Sequence, residues 1–131
     1  MLRVNKEDEW LRRAPTRPDL STHGICLRVV MMPPGSRGMP HYHPGHETAI
    51  YSVSGQTDVW HGHGLVKRTV VRAGDFLYIP PGTPHLPVNR GDVTAIAVVA
   101  RTDPGETGGG VTVELPRHLA GLLSLPVAVR E

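Results

Sequence analysis

Glycine and proline interrupt this chain at short intervals, and this feature limits its possible folds more than any other. Gly accounts for 15 and Pro for 13 of the 131 residues, and both are spread along the sequence instead of being gathered in one block. Because both residues break helices and favour turns, long helices are excluded from most of the chain. The pattern predicts many short strands joined by tight turns.

Eight segments between the turns are predicted as strands, and a ninth follows at 111–115. The eight are 23–32, 39–43, 47–53, 56–61, 65–72, 76–80, 85–88 and 93–101. Strands at this spacing are typical of an all-β sandwich or barrel, the class that contains the jelly roll. Short helices are predicted only near the termini, one between Asn5 and Pro15 and one over 116–123.

The length predicts one domain, since about 150 residues is the usual size of a domain. We divide it into an N-terminal arm at 1–22, a barrel core at 23–101 and a C-terminal extension at 102–131 that packs on the barrel. No internal repeat and no linker between domains is evident in the sequence.

Charge and composition exclude several classes of function. Fourteen Lys and Arg against twelve Asp and Glu give a net charge of +2, too small and too dispersed for a nucleic-acid or membrane surface. The first residues, MLRVNKEDEW, are charged where a signal peptide is apolar, and the single cysteine, Cys26, cannot form an internal disulfide. We therefore expect a cytoplasmic protein that binds a small-molecule substrate.

Histidines in two neighbouring positions give the first indication of chemistry. In an extended strand alternate side chains share a face, so His41 and His43 point the same way, about 6.6 Å apart along the strand. Two imidazoles on one face can share a metal ion. By itself such a pair is more often a solvated face or two hydrogen-bonded histidines, so the surrounding residues decide the interpretation.

The surrounding residues match two longer patterns. GSRGMPHYHPGHETAIYSVSG at 35–55 resembles the first cupin motif: Gly, five residues, HxH, three or four residues, Glu, six residues, Gly. GDFLYIPPGTPHLPVN at 74–89 matches the second: Gly, five residues, Pro, one, Gly, two, His, three, Asn. The chain thus resembles the cupin superfamily. The resemblance implies a small jelly-roll barrel in which His41, His43, the acid Glu47 and His85 hold a metal.

The first motif departs from the pattern by one residue. Seven residues rather than six separate Glu47 from Gly55, so counting back from Gly55 reaches Thr48. The alternate residues that share the phase of Glu47 are the more apolar set, namely Ala49, Tyr51 and Val53. We therefore predict that Glu47 faces inward, with a one-residue bulge near Ser54 that takes up the extra position.

His46 is the alternative fourth ligand, because it lies in the turn directly before Glu47. Three imidazoles and a carboxylate leave a divalent site at a formal charge of +1, whereas four imidazoles leave it at +2 and release Glu47 to act as a base. His61 shares a face with Thr57 and Val59 and is a candidate to contact substrate inside the barrel. Tyr51 is a candidate to orient substrate through its hydroxyl.

A metal held in this way keeps open positions for a bidentate oxygen ligand. A redox-inert metal such as zinc would act as a Lewis acid, whereas iron would support oxygen chemistry, and the ligand types also permit manganese or nickel. The histidine-rich motif is similar to that of small cupins that act as cyclases in bacterial aromatic polyketide pathways, which make antibiotics. That resemblance implies zinc and aldol-type cyclisation; the alternatives are an iron-dependent dioxygenase and a non-catalytic cupin that binds a small ligand.

The resemblance also implies assembly. Cupins commonly form homodimers, and the arm before His23 is long enough to cover a strand edge on a neighbouring copy. We therefore expect a homodimer.

Overall fold

The computed structural model describes residues 19–21, 24–102 and 110–127, and the predicted N-terminal helix lies outside these ranges. Eleven strands are present in this part of the chain. They are β1 (Asp19–Ser21), β2 (Cys26–Met32), β3 (Ser36–Arg37), β4 (His41–Tyr42), β5 (Thr48–Ser54), β6 (Gln56–His61), β7 (Lys67–Arg72), β8 (Phe76–Ile79), β9 (His85–Asn89), β10 (Ala95–Arg101) and β11 (Val111–Thr112). Short 3-10 helices occur at His63–Leu65 and Arg117–Ser124. None of the helices in the described ranges is long and apolar enough to cross a bilayer.

The strands form two antiparallel sheets that face each other. Sheet A has the order β1-β2-β10-β5-β8, and sheet B has the order β11-β4-β9-β6-β7, with β3 added beside β9. Side chains from both sheets line one cavity between them. The predicted all-β jelly-roll barrel is therefore confirmed.

The C-terminal 3-10 helix packs against the outer face of sheet B. Its Leu119 and Leu122 join Leu65, Leu86 and Val88 in a fully buried cluster. Full burial of each of these side chains contributes about 1.5 to 3 kcal/mol to stability.

Trp60 packs against this cluster from sheet B, as expected for a side chain on the opposite face from His61. Arg37 also holds the C-terminal 3-10 helix in place, because its Nε donates a hydrogen bond to the carbonyl of Leu122 at 2.9 Å. These contacts keep the C-terminal helix on the outside of the barrel and leave the space between the sheets to the cavity.

The phase of β5 is the opposite of the predicted one. Thr48 and Ser52 are buried and line the cavity together with Ile50, whereas Tyr51 and Val53 are exposed on the outer face of sheet A. An irregularity is indeed present near Ser54, because the pairing with β10 passes over Val53. It does not turn Glu47 inward.

The prediction failed because the outer face of sheet A is apolar as well. On β2, Leu27, Val29 and Met31 are exposed while Cys26 and Met32 are buried. When both faces of a sheet carry apolar side chains, apolar content no longer distinguishes the inner face from the outer one.

Candidate metal centre

Three histidines converge at one end of the barrel. His41 in β4 is directly paired with His85, the first residue of β9, and His43 follows β4 immediately. The ligand nitrogens of the three residues all lie within 4.8 Å of one another. His43 and His85 are 3% and 5% exposed, and His41 is half-buried. Two of the predicted strands and one turn thus bring these three predicted ligands together.

Backbone carbonyls select the tautomer of two of the rings. Nδ1 of His41 lies 2.6 Å from the carbonyl oxygen of Met39, and Nδ1 of His85 lies 2.9 Å from that of Thr83. A carbonyl can only accept, so Nδ1 carries the proton in each ring and the neutral imidazole has its lone pair on Nε2. Metal-binding histidines are typically oriented by such a hydrogen bond from the other ring nitrogen.

The third histidine completes the arrangement. Nε2 of His43 lies 3.0 Å from Nε2 of His41. Two nitrogen lone pairs at this distance would repel, so a proton or a cation must lie between them. The donor set fits a divalent metal that prefers imidazole, such as zinc, iron or nickel.

The turn of the second motif fixes the relative position of the two histidine strands. Gly82 lies three residues before His85, and its N–H donates a 3.0 Å hydrogen bond to the carbonyl of His43. Gly82 has φ of +74°, a conformation that residues with a Cβ rarely adopt. The glycine of the motif therefore aims the histidines and does not take part in the chemistry.

Gly110 packs directly against two of the imidazoles. A Cβ at this position would lie 3.2 Å from Cδ2 of His41 and 3.3 Å from Cε1 of His43. Gly110 precedes β11, whose Thr112 is paired with His41. The absence of a side chain at position 110 thus lets this strand close over the rings.

Thr48 takes the place of the fourth ligand in the motif. It is 2% exposed and lines the same cavity as His85. Its Oγ1 accepts a hydrogen bond of 3.3 Å from Nε of Arg101, which lines the cavity too. A neutral hydroxyl held by a cation therefore stands where a carboxylate was expected.

Glu47 lies on the outside of the barrel, so the prediction that it faces inward is wrong. Its Oε1 accepts a 2.9 Å hydrogen bond from the hydroxyl of Tyr78, and its backbone N–H donates to Oγ1 of Thr102. The hydrogen bond to the Glu47 carboxylate, followed by desolvation and the carboxylate charge, raises the pKa of Tyr78. Glu47 is not in the group formed by the three histidines.

The structure places the other three predicted site residues in three different positions. His46 is half-buried in the turn after His43 and lies outside the three-histidine group. Tyr51 is on the outer face of sheet A, where its ring lies 4.9 Å from that of Phe76, so the prediction of a contact inside the barrel is wrong. His61 is directly paired with His85, and its ring nitrogen Nε2 is 2.8 Å from Oγ1 of Thr69. Directly paired residues share a face of the sheet, so His61 stays beside the three histidines.

Two residues of the cavity wall were not identified from the sequence. Counting back from Gly55 indicates Thr48, whereas the apolar phase of the strand indicates Glu47. Arg101 ends β10 on the same face as Val99, and that alternation was the available signal for it. Both are polar residues in a wall that is otherwise mostly aliphatic.

The site offers three neutral ligands and a largely apolar surrounding. A divalent ion bound by three imidazoles keeps a formal charge of +2 and has positions open for exogenous oxygen ligands. The low-polarity wall would strengthen its electrostatic effect on a bound carbonyl.

Comparisons with known proteins agree with this architecture. The cupin domain family model matches residues 28–101. Germin-like protein subfamily 3 member 2 of Arabidopsis thaliana is 35% identical over 118 residues, an alignment that covers 80% of this chain and 51% of the relative. The chain spans about half the length of the curated relatives that it matches.

Solved structures show the same fold. An uncharacterized conserved protein with a double-stranded β-helix domain from Klebsiella pneumoniae superposes with a TM-score of 0.66 and 26% identity, covering 87% of this chain and 99% of that one. An oxalate oxidase in complex with the substrate analogue glycolate gives a TM-score of 0.63 and 28% identity over 72% of this chain and 53% of that one. From the matched domain, the two motifs and the barrel, we conclude that this chain belongs to the cupin family.

Proposed function

We propose that this chain is a metal-dependent enzyme in which His41, His43 and His85 hold a divalent cation that acts as a Lewis acid on a small, oxygen-rich substrate. The observation that carries the proposal is the orientation of the rings. The Nδ1 atoms of His41 and His85 are directed at carbonyl oxygens, which leaves the lone pairs on Nε2. This is how proteins orient imidazoles toward a metal.

The charge of the site supports Lewis-acid chemistry. Thr48 lies at the motif position of the acid and adds no negative charge, so the ligand set would not reduce the charge of the cation. Zinc is the metal that we propose, with iron, manganese and nickel as alternatives. When bound, the metal would polarise a substrate carbonyl.

His61 is the group that we assign to proton transfer. It is the direct neighbour of His85 across sheet B, it is half-buried, and its Nε2 atom is hydrogen-bonded to Thr69. An imidazole nitrogen can accept and donate a proton, as removal of a proton beside a polarised carbonyl requires. The aliphatic side chains of the cavity would keep bulk water away from the substrate carbon that loses the proton.

Aldol-type cyclisation of an aromatic polyketide intermediate is one reaction that begins with such a proton transfer. The feature of the site that favoured it over other reactions was the additional histidine His46, and His46 lies outside the group of three histidines. The proposal is therefore enolisation of a small carbonyl substrate, of which cyclisation is one possible outcome.

Oxygen-dependent oxidation of a small acid is the second candidate, in place of the dioxygenase considered from the sequence. The 28% identity to an oxalate oxidase complexed with glycolate favours it. Imidazole ligands also suit iron, so the donor set is compatible with this reaction.

Proton exchange separates the candidates. The protein is loaded in turn with Zn²⁺, Fe²⁺ or Mn²⁺ and incubated with pyruvate in D₂O, and loss of the methyl signal is followed by NMR while an electrode records oxygen. We expect the zinc protein to accelerate exchange and to consume no oxygen. His61→Ala should slow the exchange by about 10²-fold or more, as for a positioned base, and the exposed His63→Ala should not.

Oxygen uptake without exchange would instead support the oxidase. Full occupancy by metal with neither reaction would support a non-catalytic ligand-binding cupin and would overturn the proposal.

A further inference from the structure

A single guanidinium lies in the wall of the aliphatic cavity. The described residues that line the cavity include one side chain with a permanent charge, Arg101, which is 3% exposed. The hydroxyl-bearing residues Thr48, Ser52 and Thr57 are the other polar members apart from His85. The wall thus combines one cation with a largely aliphatic surface.

Arg101 is held in place from its own sheet. It is the last residue of β10 and is directly paired with Thr48 on one side and with Cys26 on the other. Its Nε donates to Oγ1 of Thr48 at 3.3 Å. This bond restrains the plane of the guanidinium, which lowers the entropy that a ligand would have to remove.

A second guanidinium is buried on the same face. Arg28 is 7% exposed and is paired with Val99, two residues before Arg101 on β10. Residues in this diagonal relation are about 7 to 8 Å apart. Arg28 alternates with Val30, which lines the cavity, so both arginines belong to the inner face of sheet A.

These cations lie at the histidine end of the barrel. Thr48 opens β5 five residues after His43, and it lines the cavity together with His85 and Arg101. A molecule in the cavity would therefore meet the imidazole of His85 and the Thr48–Arg101 pair. Guanidinium is the side chain that best matches a carboxylate, and the charge-assisted bond is stronger in a low-polarity wall than in water.

From this arrangement we propose that Arg101, positioned by Thr48 and supported by the charge of Arg28, binds the carboxylate of the substrate, which makes the substrate class small carboxylic acids that carry a second oxygen function. The inference rests on the proposed function for the place where the second oxygen binds. The carboxylate site itself is formed by residues that are not metal ligands.

The test uses metal-free protein prepared with a chelator, so that binding is separated from catalysis. Malonate and its neutral analogue malonamide are titrated by calorimetry. We expect malonate to bind at least about 10-fold more tightly than malonamide. Arg101→Gln should weaken malonate binding by about 10- to 100-fold, the range for hydrogen bonds to charged groups. Arg101→Lys should be intermediate, and Arg72→Gln, at an exposed end of β7, should be unchanged.

A second variant keeps the test decisive if Arg101→Gln fails to fold. Thr48→Val retains the shape of the side chain and removes the acceptor. This variant should keep a native circular dichroism spectrum and bind malonate several-fold more weakly. Equal affinity for malonate and malonamide, or wild-type affinity in folded Arg101→Gln, would overturn the inference.

The two proposals can fail separately. Loss of malonate binding in Arg101→Gln, together with normal metal content in His85→Ala, would support the carboxylate site and contradict the metal centre. Loss of metal in His85→Ala with unchanged malonate binding in Arg101→Gln would support the metal centre and contradict the carboxylate site.

Discussion

Thr48 and Arg101 are joined by a 3.3 Å hydrogen bond between Oγ1 and Nε, directly across β5 and β10. Counting back from Gly55, Thr48 is the residue at the acidic position of the first cupin motif. The charge that faces the cavity at this position is therefore the positive charge of a guanidinium and not the negative charge of a carboxylate. This reversal bears on both the metal centre and the kind of substrate that would bind beside it.

Removal of Glu47 or His46 should leave the metal in place. Glu47 is exposed and accepts a hydrogen bond from Tyr78, and His46 lies outside the group of three histidines. We expect Glu47→Gln and His46→Ala to keep zinc affinity within about twofold of wild type, measured by competition with a chromophoric chelator. A loss of 10-fold or more in either variant, the range for groups that support a metal site, would place that residue at the metal.

A methyl group at position 110 should weaken metal binding. The added Cβ would lie 3.2 Å from His41 and 3.3 Å from His43, so the rings would have to move by a few tenths of an ångström. We expect Gly110→Ala to lower zinc affinity several-fold in the same competition assay. Gly121→Ala is the matched control, because nothing lies within 4 Å of its added Cβ. Equal affinities in the two variants would contradict the contact.

The Tyr78 hydroxyl reports the orientation of Glu47. The carboxylate accepts a hydrogen bond from the neutral phenol and disfavours the phenolate, which raises the Tyr78 pKa. Replacing Glu47 by Ala removes both the hydrogen-bond acceptor and the charge, so the Tyr78 pKa should fall toward its ordinary value. The change is followed in the alkaline ultraviolet titration, with Tyr78→Phe identifying the contribution of this tyrosine. An unchanged titration would contradict the outward position of Glu47.

The apolar outer face of sheet A is expected to pair with a second copy of the chain. Leu27, Val29, Tyr51 and Phe76 are exposed on three strands with little charge among them, and Phe76 is 81% exposed. A patch of this kind is typical of an interaction site, and an isologous dimer places one such patch against its own copy.

Sedimentation equilibrium should therefore give about twice the 14.2 kDa chain mass. Phe76→Asp should shift the protein to monomer, and the exposed Arg72→Gln should not. A monomeric wild type at micromolar concentration would contradict this assembly.

The spacing of the two motifs was sufficient to predict the barrel and the meeting of His41, His43 and His85. Motif spacing fixes which residues occupy strands and turns, and the turn at Gly82 is tied to His43 as such spacing requires. The phase of β5 could not be predicted from apolar content, because both faces of sheet A are apolar. The buried arginines were missed, since alternation along a strand does not show which face is the inner one when both faces of the sheet carry apolar side chains.

Metal content is the most direct test of the central claim. Elemental analysis is carried out on zinc-loaded, desalted protein for wild type, His41→Ala, His43→Ala and His85→Ala, with His63→Ala as the control and circular dichroism to verify folding. We expect about one metal per chain in wild type and in His63→Ala, and loss of most of the metal in each of the three other variants. Wild-type metal content in any folded variant of His41, His43 or His85 would contradict the three-histidine centre.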